Sequence, residues 1–62
     1  MKMHEIMEVL KKLSEAQGIY GVIYRFLEVM PEEDPYMYEQ TVKTLEAQDF
    51  KDAVDVAMYF ES

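Results

Sequence analysis

The sequence predicts an all-α fold: one small domain of four helices, arranged as two antiparallel helical hairpins. Three observations predict it. Apolar residues recur every three or four positions in four segments, which is the spacing of one face of an α-helix. The segment Val9–Gln17 is echoed by Thr41–Gln48, and a further apolar segment follows each copy. Pro31–Pro35 separates the two halves, so we expect a single domain over 1–62 with a proline-rich, acidic joint at 31–35.

The first helix is predicted over 3–16. Glu8 precedes Lys12 by four residues, which is the favourable order for an ion pair on a helix. Gly18 follows the polar end of the segment and is a natural helix stop. The inner face is formed by apolar residues at helical spacing: Met3, Ile6, Met7, Leu10 and Leu13.

The second helix is predicted over 19–30. This segment is rich in β-branched and aromatic residues, so a strand is the competing interpretation. Its apolar residues follow an i, i+3, i+4, i+7, i+8 pattern, and this spacing favours a helix. The residues expected to face inward are Ile19, Val22, Ile23, Phe26, Leu27 and Met30.

The third helix is predicted over 35–48. Asp34 is expected to cap it, with Pro35 at its first position, where the missing N–H costs nothing. Glu39 and Lys43 form a second favourable i, i+4 pair. The residues expected to face inward are Tyr38, Thr41, Val42 and Leu45.

The fourth helix is predicted over 50–61. Asp49 is expected to be its N-cap, and Asp52 follows three residues later in a variant of the capping box. Because the connections are short, each consecutive pair of helices should form an antiparallel hairpin. The residues expected to face inward are Phe50, Ala53, Val54, Ala57 and Phe60.

Composition limits the classes of partner. Thirteen acidic and six basic residues give the 62-residue chain a net charge of −7. Such a charge repels phosphate backbones, so direct nucleic-acid binding is not expected, whereas a basic protein surface would be attracted. A chain of this size buries only about 60% of its unfolded surface. Burial against a target protein, or against a second copy in a homodimer, is therefore expected to add stability.

The same composition bears on location. The chain has no cysteine, which excludes disulfides and a thiolate zinc site. The longest apolar run, 19–29, contains Arg25 and Glu28 and is too short to span a bilayer. No signal-peptide core follows the first five residues. We expect a cytoplasmic protein without membrane association.

Side chains suited to catalysis or metal binding are few. His4 and Glu8, at i, i+4, offer only two ligands to a metal ion. His4 and Ser14 would lie about 15 Å apart along one helix, too far for a nucleophile and its base. No Asp-x-Asp-x-Asp-Gly calcium loop occurs. We therefore expect no enzyme: no catalytic residue, no cofactor and no metal site.

Tyrosines and one methionine provide the first candidate binding surface. They lie outside the predicted inner faces, and tyrosine is enriched at protein interfaces because it combines apolar area with a polar tip. A wide core face is the competing interpretation. The residues of this Tyr/Met surface are Tyr20, Tyr24, Tyr36, Met37 and Tyr59.

An acidic band provides the second candidate surface. Its members recur every third residue, so each advances about 4.5 Å along a helix axis. A solvated helix face is the competing interpretation, and a contact surface for a basic partner is the functional one. The residues of the acidic band are Glu46, Asp49, Asp52 and Asp55.

These features predict a small acidic protein–protein interaction module, acting as an adaptor or a stoichiometric inhibitor through its Tyr/Met surface. The expected partner is a protein with a basic or mixed apolar and basic surface. The alternative is a nucleic-acid mimic of the kind encoded by phages and other mobile elements. In that alternative, the acidic band would occupy the phosphate-binding groove of a DNA- or RNA-binding protein.

Overall fold

The computed structural model describes all 62 residues and contains four α-helices and no strand. The predicted all-α fold class is therefore confirmed. The helices are α1 (Met3–Leu13), α2 (Gly18–Glu33), α3 (Pro35–Ala47) and α4 (Ala53–Glu61).

The core is built around α1, which packs against the other three helices. α2 also packs against α3, whereas α3 and α4 have no close backbone contact with each other, so the predicted packing of α3 against α4 as a second hairpin is not observed. Ile6 and Leu10 of α1 are completely buried, together with Val56 of α4. The other buried residues come from α1, α2, α3 and the loop before α4: Met3, Tyr20, Leu27, Met30, Leu45 and Phe50.

The turn between α1 and α2 begins earlier than the sequence predicts. α1 ends at Leu13, and the N–H of Ala16 then donates to the Leu13 carbonyl at 3.0 Å. Such i to i+3 bonds close a tighter turn than an α-helix does. Gln17 is extended, and Gly18 is the first residue of α2 rather than a stop for α1.

α2 continues through Pro31 to Glu33, three residues beyond its predicted end. Proline in the last turn removes a single N–H donor, and the N–H of Asp34 still donates to the Met30 carbonyl at 2.8 Å. The segment 31–35 is therefore mostly helical. Asp34 alone separates α2 from α3, and its carboxylate accepts the N–H of Met37 at 3.1 Å, as expected of an N-cap.

The prediction that Asp49 caps the fourth helix is wrong. α4 begins at Ala53, and its N-cap is Asp52, whose carboxylate accepts the N–H of Asp55 at 3.1 Å. Asp55 in turn accepts the N–H of Lys51 at 2.9 Å. Asp49 instead adopts a φ of 56°, a left-handed conformation that aspartate tolerates better than most residues.

Two inner faces also differ from the prediction. In α2, Ile19, Val22 and Phe26 are exposed, because the apolar residues cover more of the helix circumference than α1 and α3 can bury. In α4, Ala53 and Val54 are exposed. Phe50 precedes α4, so an apolar face extrapolated from Phe50 has the wrong rotation about the helix axis.

Candidate functional site: an open apolar groove

An open groove of about 670 Å³ lies between α2, α3 and the end of α4. Twelve residues line it, of which nine are hydrophobic and none is charged. The absence of charge is informative because 31% of the whole chain is charged. A contiguous exposed apolar surface of this kind marks a binding site in many soluble proteins.

The α2 wall is the most apolar part of the groove. Val22 and Phe26, four residues apart on one face, are 66% and 64% exposed. Leu27 and Met30 lie beside them and are buried. Ile19, three residues before Val22, continues the exposed stripe by one turn. We call Ile19, Val22 and Phe26 the α2 stripe.

The α3 wall is formed by uncharged side chains. Met37 is exposed, and Gln40, Thr41 and Thr44 follow along the helix. The Thr44 hydroxyl donates to the Gln40 carbonyl at 3.0 Å, so its only O–H donor is already used within α3. Thr44 therefore needs no hydrogen-bond acceptor from a ligand.

The charges of α3 lie on another face of the helix. Glu39 and Lys43 pair with each other at 3.3 Å, and both side chains are largely exposed. Each precedes a groove-lining residue by one position, which is a rotation of about 100° around the helix. The ion pair is thus directed away from the groove.

Aromatic rings close the α4 end of the groove. Tyr59 and Phe60 line it, and their rings meet edge to face with centroids 5.2 Å apart. Tyr59 also contacts the ring of Phe50 edge to face at 5.4 Å. Such edge-to-face pairs are favourable beyond their buried area, so the Tyr59 ring is held in place before any ligand binds.

Tyr20 lies in the core and not on the exposed surface. Only 2% of the residue is exposed, and its hydroxyl donates a hydrogen bond to the carboxylate of Glu61 at the end of α4. The pKa of Tyr20 is raised above its ordinary value of 10.0, first by this hydrogen bond, then by burial and by the charge of Glu61. These contacts give Tyr20 a structural role between α2 and α4.

The structure divides the rest of the predicted Tyr/Met surface. Met37 and Tyr59 both line the groove. Tyr36 is strongly exposed but does not line it, and Tyr24 is half-buried in a separate hollow against α1. Their binding roles stay predictions, but only two of the five residues share the groove.

Sequence reasoning missed the α2 stripe as a surface because it assigned these residues to the core. One signal was available: apolar residues at 19, 20, 22, 23, 24, 26, 27, 29 and 30 surround most of the helix circumference. In a chain with only three other short helices, so wide an apolar face exceeds what neighbours can cover.

Most of the predicted acidic band is engaged within the protein. Glu46 is half-buried, and its carboxylate accepts the N–H of Met3, at the start of α1, at 2.7 Å. Asp52 and Asp55 accept the backbone N–H groups that organise the start of α4. Asp49 is exposed. A partner-binding role for these four residues stays a prediction.

No three or more histidine, cysteine, aspartate or glutamate side chains come close enough together to hold a metal ion, and His4 is exposed. None of the four helices has the length and apolar content needed to cross a bilayer.

Comparison with protein-family models, curated proteins and solved structures finds no match to this chain. The groove and the distribution of charge are the features of the molecule that bear on its function.

Proposed function

We propose that the protein is a non-enzymatic interaction module that binds another protein through the groove and the α2 stripe. It would act in the cytoplasm as an adaptor or a stoichiometric inhibitor. The observation that carries the proposal is the uncharged groove of about 670 Å³, with Val22 and Phe26 about two-thirds exposed along its edge. Uncharged, aromatic-rich patches of this kind are typical of the centres of protein interfaces.

The energy available from this surface is sufficient for recognition. Full burial of a valine or phenylalanine side chain stabilises a complex by about 1.5–3 kcal/mol. Since about two-thirds of Val22 and of Phe26 is exposed, covering both would contribute about 2–4 kcal/mol. That is the range in which a few residues dominate a protein interface.

Several side chains of the groove are also held in place before a partner binds. The α4 end of the groove is fixed by the contacts of Tyr59 with Phe50 and Phe60, and the Thr44 hydroxyl is bonded within its own helix. Side chains that are already ordered lose less conformational entropy on binding, so more of the burial energy is available for affinity.

The groove is favoured over the acidic band as the binding surface. Three of the four acidic-band carboxylates accept backbone N–H groups of the protein itself, which restricts how they can be presented to a partner. A nucleic-acid mimic acting through the band would lose target affinity steeply with added salt. Binding led by the apolar groove would change much less, because little charge is screened.

Two pairs of equally exposed apolar residues allow a matched test. The first pair, Val22 and Phe26, lines the groove. The second pair, Val54 and Met58 on α4, is 62% and 66% exposed and lies outside the groove. Tagged wild-type protein and the two serine double variants would be used to capture partners from host extract, with circular dichroism to verify equal helix content. We expect Val22→Ser/Phe26→Ser to weaken capture at least tenfold and Val54→Ser/Met58→Ser to leave it unchanged. Equal capture by all three proteins would contradict the proposal.

A further inference from the structure

We propose that the occupant of the groove is an amphipathic helix of another protein, with lysine or arginine at the end that meets the α2–α3 joint. Its apolar side chains would recur at i, i+3 or i+4, and i+7. This inference rests on the proposed function and specifies the chemical class of the partner.

The dimensions of the groove fit a helix. Its α2 wall runs from Val22 to Met30, which is about 12 Å at 1.5 Å per residue. Apolar side chains at i and i+7 of a partner helix lie about 10.5 Å apart along its axis, so three of them cover this wall.

The polarity of the walls favours a helix over an extended segment. The backbone groups of α2 and α3 are bonded within their own helices, and the groove offers few side-chain donors or acceptors. An extended segment would bring unpaired N–H and C=O groups against this apolar surface, which is costly. A helix satisfies its own backbone groups and presents only side chains.

The acidic residues at one end of the groove indicate which charge the partner should carry there. Between Arg25 and Lys43 the chain has no lysine or arginine and five acidic residues. Glu32, Glu33 and Asp34 are exposed at the joint between the two walls. These acidic residues favour a partner cation at this end.

The position of Glu33 on α2 indicates where the cation of the partner should lie. Glu33 lies seven residues after Phe26, and this spacing places both on nearly the same face of α2. A helix that covers the α2 wall from Val22 to Met30 would therefore place its next turn beside this carboxylate, about 4.5 Å further along the axis. A lysine or arginine at that position satisfies the carboxylate, whereas an acidic residue is repelled.

A second copy of the chain is a poorer occupant. It would add a further net charge of −7, and its α2 stripe ends in the same acidic residues. The only cation of α2 is Arg25, which is rotated about 100° away from Phe26. Docking of two α2 stripes thus leaves Glu33 without a cation on the facing stripe.

A displayed library of helical peptides tests this inference directly. Peptides with randomised surface positions would be selected on the wild-type protein and counter-selected on Val22→Ser/Phe26→Ser. We expect enriched peptides to carry apolar residues at i, i+3 or i+4, and i+7, and an excess of lysine and arginine at one end. The most enriched peptide should bind Phe26→Ser at least tenfold more weakly. It should bind Glu32→Gln/Glu33→Gln about three- to tenfold more weakly. It should bind the control Glu8→Gln/Glu15→Gln, whose changes lie on α1 and in the turn after it, without change.

Several results would overturn the inference. The first is enrichment of peptides without an excess of lysine or arginine, and the second is no enrichment of helical peptides. The third is a wild-type dimer in sedimentation equilibrium that becomes monomeric in Phe26→Ser. If partner capture still depends on Val22 and Phe26 in any of these cases, the proposed function stands and only the nature of the occupant is wrong. If capture does not depend on them, the proposed function itself fails.

Discussion

The hydroxyl of Tyr20 in α2 donates a hydrogen bond to the carboxylate of Glu61 in α4. These two helices have no close backbone contact, so this side-chain bond is a direct link between them. It holds the end of α4, which carries Tyr59 and Phe60, beside the groove. The shape of the groove at this end therefore depends on a partly buried contact that lies outside the groove.

Alkaline pH should break this link. Because the pKa of Tyr20 is raised in the folded protein, the folded state favours the neutral phenol. The resulting stability is fully present below the unfolded pKa of about 10 and is lost as pH rises through the higher folded pKa. We expect the melting temperature to fall above pH 10 more steeply in wild type than in Tyr20→Phe. Identical pH profiles for the two proteins would contradict this role.

Glu46 should stabilise the start of α1 across the fold. Its carboxylate accepts the Met3 N–H at 2.7 Å, which satisfies one of the free donors at a helix N-terminus. We expect Glu46→Ala to lower the free energy of unfolding by about 1–2 kcal/mol in urea denaturation. Glu46→Gln keeps an acceptor oxygen and should cost less, about 0.3–1 kcal/mol. If Glu46→Ala costs no more than Glu39→Ala on the exposed face of α3, the contact does not stabilise the fold.

Asp49 and Asp52 should respond oppositely to substitution. Removing the N-cap of α4 with Asp52→Ala is expected to cost about 0.5–2 kcal/mol of unfolding free energy. Asp49→Gly should be neutral or stabilise by up to about 1 kcal/mol, because glycine adopts a positive φ without strain. Thermal and urea unfolding of the two variants would measure both changes. The reverse order would mean that Asp49, and not Asp52, caps the helix.

Leu10 and Phe26 should differ sharply in their contribution to stability. Leu10 is completely buried, so Leu10→Ala should cost about 2–5 kcal/mol. A 62-residue protein has about 3–9 kcal/mol of total stability, so this variant should be largely destabilised. Phe26→Ala should cost less than about 1 kcal/mol because its side chain is mainly exposed. Comparable losses in urea denaturation would show that Phe26 belongs to the core.

The helices could be predicted because their signals are local. Apolar spacing identified all four, and Asp34 followed by Pro35 located the start of α3. Asp49 and Asp52 are the same residue type three positions apart, so sequence could not decide which one caps α4. The position of the cap is linked to Phe50, because this side chain is buried in the core and lies before the first residue of α4.

The binding surface was harder to predict because exposure depends on neighbours. Sequence identifies the apolar residues of α2 but not how many of them α1 and α3 can cover. Tyr20 was predicted to lie on the Tyr/Met surface, but it is buried; it lies seven residues before Leu27, hence on nearly the same face, and that spacing was the available signal for its burial. The groove arises because α4 packs against α1 and leaves one side of the packed α2–α3 pair uncovered.

The methionine methyl groups provide the most direct test of the groove as the binding surface. Met30 and Met37 line the groove, whereas Met7 and Met58 lie elsewhere, and all four sit in one chain under identical conditions. Methionine methyl NMR spectra would be recorded while the captured partner is titrated into the labelled protein. We expect the Met30 and Met37 signals to shift with the partner and those of Met7 and Met58 to stay in place. Shifts confined to Met7 or Met58, with Met30 and Met37 unchanged, would contradict binding in the groove.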